Sequence, residues 1–311
     1  MGTNPIMESI LSKGQKTAQA NGVVTELDEG YIMFKIITDS GADFRASRAK
    51  EMGIDVAYLK ICFDGEAVDQ FEDEDITRFY EKLASCENLP VTSQPSPQDF
   101  LELYEKSPDE PILVLTLSGG LSGTVNAAEL AKKMLANPDR VTIIDTKHAT
   151  LSQNVIVAEA VRMRDQGSSI DETAKAMEVL ISRTEIVGLI DTLKYLKKGG
   201  RIPRSLANIG ALLNIKPLLE LRDGVLVTAG KARGHKAGMK LLFSQVAAHG
   251  IDPNYKVFLG YSGDLHDVEE LVLQFKLAYP QVEYEVSKIG GILGTHIGAG
   301  SLGVGFVRNK K

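Results

Sequence analysis

The chain has no tryptophan, two cysteines and five histidines among 311 residues. Cys62 and Cys86 have no metal-ligand spacing, and no histidine stands in an evident order with an acid and a nucleophile. A surplus of positive charge is also missing. The formal net charge is -6, so no Lys/Arg-rich stripe exists to neutralise a nucleic-acid backbone. The run Lys197, Lys198, Arg201, Arg204 is the local exception. No apolar run approaches the roughly 20 residues that cross a bilayer, and the start lacks the basic, apolar and small-residue pattern of a signal peptide. A cytoplasmic location is expected.

What is present is the composition of a globular protein, 43% hydrophobic and 24% charged, long enough for one large domain or two. The first 30 residues are polar and read as a variable or cloning-derived extension, with a short helix around Met7 to Ala18. The run YIMFKIITDSGADF then ends in Asp39, Ser40 and Gly41, as a buried parallel strand does on entering a loop. Two similar units follow. Residues 112–117 pair with a helix from about Gly123, and residues 141–144 with a helix from about Ser152. The helix IDETAKAMEVLISRT comes next, with Asp171 available as its cap.

This alternation predicts a mostly parallel α/β sheet, whose ligands sit at the carboxyl ends of strands. Asp39-Ser40, Ser118-Gly119-Gly120 and Asp145-Thr146 all fall there. After about residue 184 the pattern changes to short helices, a Gly-Gly break, Pro217 and a hairpin ELRDGVLV turning at Asp223-Gly224, which suggests a second domain.

Three stretches carry polar groups in glycine-rich or proline-bounded settings. In TLSGGLSGT the glycines fit neither GxGxxG nor a P-loop, and the serine is a residue out of place for GxSxG. Ser118 and Ser122, with N–H groups at the start of a helix, suit a small anion such as a carboxylate. In VTSQPS, Thr92 and Ser93 precede Pro95, and the same stretch serves equally as a plain helix N-cap by Ser96. In GTHIGAG, Thr295 and His296 lie among glycines that admit close approach, in a setting where a structural histidine is an equal alternative.

Taken in order, ITDSGADF, LPVTSQPS, LSGGLSGTVNAA, IIDTKHATLS, LKYLKKGGRI, NIKPLL, GYSGDL and GTHIGAGSLGVGF resemble the DegV family of bacterial fatty-acid-binding proteins, from about Phe34 to Phe306. The resemblance implies a two-domain α/β fold: a mostly parallel sheet with flanking helices over 31–183 and a smaller α/β domain over 184–311. A long-chain fatty acid such as palmitate or oleate would lie buried between them, with no further cofactor and no metal. Carried over, its carboxylate would be held by Thr92 and Ser93, by Ser118 with the Gly119 N–H, and by His296 with Thr295. Some such proteins present the acyl carboxylate to a separate ATP-dependent fatty acid kinase and are not themselves enzymes. For that partner Arg201 is the implied docking residue, the alternative for LKKGGRIPR being a solvated loop.

The chain departs from the family pattern at two places. Gly119 stands where a second serine is usual, and Ser152, Gln153 and Asn154 stand where glycines are usual. Two other classes fit the same loops: an enzyme on a small phosphorylated or carboxylated substrate, and a lipid-sensing regulator.

Overall fold

Short apolar runs that stop at Asp, Ser or Gly become buried strands here, as their patterning predicts. A computed structural model describes residues 34–206, 214–264 and 266–310. The expected extension over 1–30, its helix around Met7 to Ala18 and the strand start at Tyr31 lie outside the described residues. The strands are β1 (Lys35–Asp39), β2 (Ile54–Ala57), β3 (Lys60–Phe63), β4 (Glu66–Val68), β5 (Val91–Ser93), β6 (Ile112–Thr116) and β7 (Val141–Asp145). They continue as β8 (Thr184–Leu189), β9 (Ile215–Arg222), β10 (Val225–Arg233), β11 (Val257–Tyr261), β12 (Tyr284–Lys288) and β13 (Leu302–Val307).

The sheet β2-β1-β6-β7 is parallel throughout. Its strand β6, ILVLT, is buried at every position, which is why the sequence there is continuously apolar rather than alternating. The second sheet, β10-β9-β8-β13-β11-β12, is antiparallel except for the pair β11 and β12. A small antiparallel sheet, β4-β3-β5, completes the set. The chain is therefore α/β, as expected.

The helix Thr150–Asp165 is the middle layer. Its apolar residues pack against Leu113 and Leu115 of β6 on one side and Phe258 and Val307 of β11 and β13 on the other. A helix buried on both sides cannot have one polar stripe, and its apolar residues are spread around it. The far face of the six-stranded sheet is covered by Met239, Leu242 and Val246 of helix His235–His249 and by Val268, Leu271 and Phe275 of helix His266–Ala278.

Several local expectations are refined. The helix expected from Ser152 starts at Thr150. Helix Ile170–Ile181 is capped by Ser169, whose hydroxyl accepts from the Glu172 N–H, and Asp171 sits inside the first turn instead. The segment expected to begin the short helices is the strand β8. The hairpin is as read: Asp223 and Gly224 have φ of 49° and 80°, the two left-handed residues of a tight two-residue turn. Ser96 does cap helix Pro97–Glu105.

Gly305 of β13 is where the middle helix comes closest. A Cβ there would lie 2.7 Å from the Leu151 carbonyl carbon, and backbone cannot step aside. At Gly188 the nearest atom to an added Cβ is 3.7 Å away. Gly305→Ala is expected to lower stability by about 2 kcal/mol through overpacking, and Gly188→Ala by less than about 1 kcal/mol. Urea unfolding of both variants checks this, and equal effects would contradict it.

Candidate functional site

A cavity of about 340 Å³ lies on the inner face of the six-stranded sheet. Alternation along the strands decides who faces it. Ile186, Gly188 and Ile190 line the cavity, while Val187 and Leu189 face the opposite core. Leu219, Leu221 and Leu226 extend the apolar floor. The roof is Leu117, Leu121, Leu151, Ile289, Ile292 and Ile297, several of them from loops at the carboxyl ends of the parallel strands. That end of the sheet is where a ligand was expected.

Polar groups in the lining include Thr92, Ser93, Gln94, Ser122, Arg201 and His296. Thr92 leaves β5 and His296 stands in the last turn of helix Gly291–Ile297; their Oγ1 and Nε2 are 3.0 Å apart. The helix can reach β5 because Gly291 and Gly294 let it press on Ile61, Phe79 and Tyr80. Burial, with the Arg201 charge adding to it, pushes the His296 imidazole down to a pKa of about 4, so the ring is neutral at pH 7. Its Nδ1 is buried without a partner and faces Gly199, where a Cβ would come within 2.2 Å. Arg201 donates through Nε to the Leu121 carbonyl and through Nη1 to the Gly199 carbonyl, which ties its guanidinium to the same region. Gln94 lies across Gly123, where any side chain would displace it.

The expected anchors therefore divide. Thr92, Ser93 and His296 come together at the cavity, and Arg201 joins them. Ser118, Gly119 and Thr295 are outside its lining. Ser118 is fully buried and its hydroxyl donates to the Gly224 carbonyl at 2.6 Å, gripping the hairpin turn between β9 and β10. The Gly119 N–H donates to the Asp145 carboxylate at 3.1 Å. A Cβ at Gly119 would meet that carboxylate at 2.8 Å, so serine at this position would have to displace it. Thr295 donates back to the Gly291 carbonyl within its own helix. Ser122, read locally as an anion ligand, does line the cavity. Gln94 was missed, although it sits inside the VTSQPS stretch.

Acidic side chains at the strand ends bind backbone. Asp39 accepts from the N–H groups of Leu117 at 2.6 Å and Gly41 at 2.9 Å, and Asp43 accepts from Gly290 N–H at 3.0 Å and from the Thr150 hydroxyl. Ser152, Gln153 and Asn154, the departures from the family pattern, lie inside the middle helix. Gln153 donates toward Thr38 and Asp39, and Asn154 to the Ala42 carbonyl. A second cavity of about 440 Å³ is lined by charges of both signs, among them Lys147, Glu178, Glu185 and Arg222. Among the described residues, no group of three or more His, Cys, Asp and Glu side chains could hold a metal ion, and no helix is long and apolar enough to cross a membrane.

This arrangement has counterparts. The family profile described as "Uncharacterised protein, DegV family" matches residues 33–309. A DegV domain-containing protein of Clostridium perfringens is 35% identical, over 89% of this chain and 98% of that protein. The crystal structure of a DegV lipid-binding protein from Thermotoga maritima superposes with a TM-score of 0.81 at 30% identity, covering 90% of this chain and 100% of that one. A DegV family protein from Thermus thermophilus, described for its fatty acid binding, gives a TM-score of 0.80 at 31% identity, covering 89% and 100%. The chain belongs to the DegV family.

Burial raises the Asp39 carboxyl from 3.8 to about 7 against the hydrogen bonds that favour its charge, and raises Asp43 to about 6. The folded state thus holds protons that the unfolded state releases near pH 4. Stability from these groups is greatest at low pH and falls as pH rises from about 4 to about 7. Asp39→Asn, whatever its absolute stability, is expected to show a shallower fall across that window in urea unfolding. Parallel pH profiles for the two proteins would refute the assignment.

Proposed function

We propose that this DegV family member holds a long-chain fatty acid in the 340 Å³ cavity and presents its carboxylate to a separate ATP-dependent fatty acid kinase. The observation that carries this is the contrast within one cavity: a floor and roof of leucine and isoleucine, with Thr92 and His296 paired beside Arg201. The fatty acid binding described for the Thermus thermophilus relative supports the ligand class. The resemblance in sequence supports the partner.

The energetics suit a carrier. Burying about 14 methylenes contributes on the order of 11 kcal/mol, which offsets much of the cost of association. The polar cluster then has to satisfy the carboxylate, since an unpaired one in an apolar slot is costly. Thr92, Ser93 and Ser122 offer hydroxyls. Neutral His296 bonds without adding charge, and Arg201 supplies the opposite charge. Gln94 and Ser93 are exposed, so the carboxylate end lies toward solvent and within reach of a kinase. In acyl phosphate formation a carboxylate oxygen attacks the terminal phosphorus of ATP as the bond from that phosphorus to the bridging oxygen breaks and ADP leaves, the nucleotide being bound by the kinase. This chain's part is to orient that oxygen and shield the tail.

Arg201 is exposed at the same end and is the docking residue we assign. The ligand would lie between a domain ending at residue 183 and one beginning at residue 184, in a cytoplasmic bacterial protein. Ser118, Gly119 and Thr295 act one layer behind, by holding the hairpin, the 145–147 loop and the helix that carries His296.

Protein purified from a bacterial host is expected to yield fatty acid on extraction and gas chromatography. Stripped protein should rebind palmitate or oleate, and acyl phosphate should form only when kinase and ATP are added. Thr92→Val is expected to weaken binding about tenfold or more, the effect of losing a hydrogen bond to a charged group. Ser118→Ala is expected to act chiefly on stability, by about 1 kcal/mol. Stripped protein that takes up neither acid would end this proposal, and an affinity loss at Ser118→Ala exceeding that at Thr92→Val would reverse the roles of the two hydroxyls.

A further inference from the structure

Three neighbouring strands of the six-stranded sheet meet in register as glycine. Gly188 of β8 pairs with Gly303 of β13, and Gly303 pairs with Gly260 of β11. Directly opposed residues point to the same face, so three absent side chains in one row leave a groove running across the strands. On β8 the groove is bounded by Ile186 and Ile190, and Leu219 lies opposite Gly188 on β9.

Leu151 fills only part of this groove. An added Cβ would lie 2.6 Å from Leu151 Cδ1 at Gly260 and 3.1 Å from it at Gly303. At Gly188 the nearest atom is Ile190 Cδ1 at 3.7 Å. Gly188, Gly303 and Leu151 all line the apolar cavity. The groove therefore opens into the cavity at Gly188 and is plugged at its other end by a leucine side chain that is 1% exposed.

We propose that Gly188 is the floor, and Leu151 the end stop, of an acyl-chain groove, and that these two residues set the longest chain the cavity accepts. The proposal rests on the fatty-acid reading above and adds to it the chain-length determinant. A methylene chain and a leucine side chain make the same kind of dispersion contact with such a groove and cannot occupy it together, so one ends where the other begins. Leu151 cannot withdraw to make room. Its neighbour Thr150 is bonded to Asp43, and Gln153 and Asn154 fix the same helical turn to the loops after β1. Gly305 holds the Leu151 backbone itself against the sheet.

The experiment titrates stripped wild type, Gly188→Ala, Gly188→Leu and Leu151→Ala with laurate, myristate, palmitate and stearate. Gly188→Leu is expected to lose affinity for the longest chains first, about fourfold for each methylene turned out of the cavity, with laurate changed least. Gly188→Ala should show the same order more weakly. Leu151→Ala opens the row over Gly303 and Gly260 and should move the preference the other way, toward stearate. If Leu151→Ala does not fold, the Gly188 series decides alone, because a Cβ at Gly188 meets its neighbours no closer than 3.7 Å, an ordinary van der Waals contact. A Gly188→Leu profile unchanged from wild type, or weakened equally for all four acids, overturns the proposal. Wild type that binds none of the four overturns the fatty-acid premise instead.

Discussion

Everything at the cavity depends on how closely the Thr150–Asp165 helix approaches the six-stranded sheet. Glycines at 260, 303 and 305 let Leu151 and its backbone sit where side chains would otherwise stand, and the helix then spans the space between the two sheets. Because interiors are packed at crystal density, a change of even one methylene at that contact is felt. The cavity is the part of the inner sheet face that Leu151 does not reach. Stability and the shape of the cavity therefore rest on the same few atoms.

A second constraint sorts the polar groups. Buried hydroxyls and carboxylates must be hydrogen-bonded, and in this chain most of those near the strand ends satisfy backbone groups of neighbouring loops. Asp39 joins β1 to the end of β6, Asp145 holds Gly119, and Ser118 holds the hairpin turn 106 residues away. The polar groups that line the cavity include Thr92, Ser93, Gln94, Ser122, Arg201 and His296, contributed by four separate stretches of chain, with Ser122 also bonded to the Thr124 hydroxyl and Arg201 to the Leu121 and Gly199 carbonyls. The neutrality of His296 follows from its burial in the last turn of helix Gly291–Ile297, with the Arg201 charge adding to it.

Motif order made the family legible, and the apolar runs and turn residues made the parallel sheet, the β9–β10 hairpin and the Ser96 cap legible. Local chemistry went furthest where it depends on neighbours in sequence. It offered Ser118 and Ser122 together as hydroxyls for an anion and could not separate the two, four residues apart in the same loop. The Ser118 hydroxyl is held by the distant Gly224 carbonyl, whereas Ser122 bonds the nearby Thr124 hydroxyl and lines the cavity. The substitution at Gly119 reads as a missing hydroxyl in the sequence, whereas in the structure a serine there would collide with Asp145. Ser152, Gln153 and Asn154 look like a disturbed loop and are in fact the buried polar turn of the central helix, each side chain bonded to backbone or to the β1 end.

The sequence by itself determined the class of fold, the strands β1, β6 and β7, the β9–β10 hairpin and the approximate starts of the helices that follow β6 and β7, because these follow from the period of apolar residues and from turn chemistry within a few positions. It also determined which hydroxyls and which histidine were candidates. Only the tertiary structure decided which of them face the cavity, because a side chain's partner can lie a hundred or more residues away, as Gly224 does from Ser118 and His296 from Thr92. The glycine row at 188, 303 and 260 is likewise silent in the sequence. It exists only once three strands from distant segments are brought into register, since strand pairing, not chain order, places absent side chains side by side.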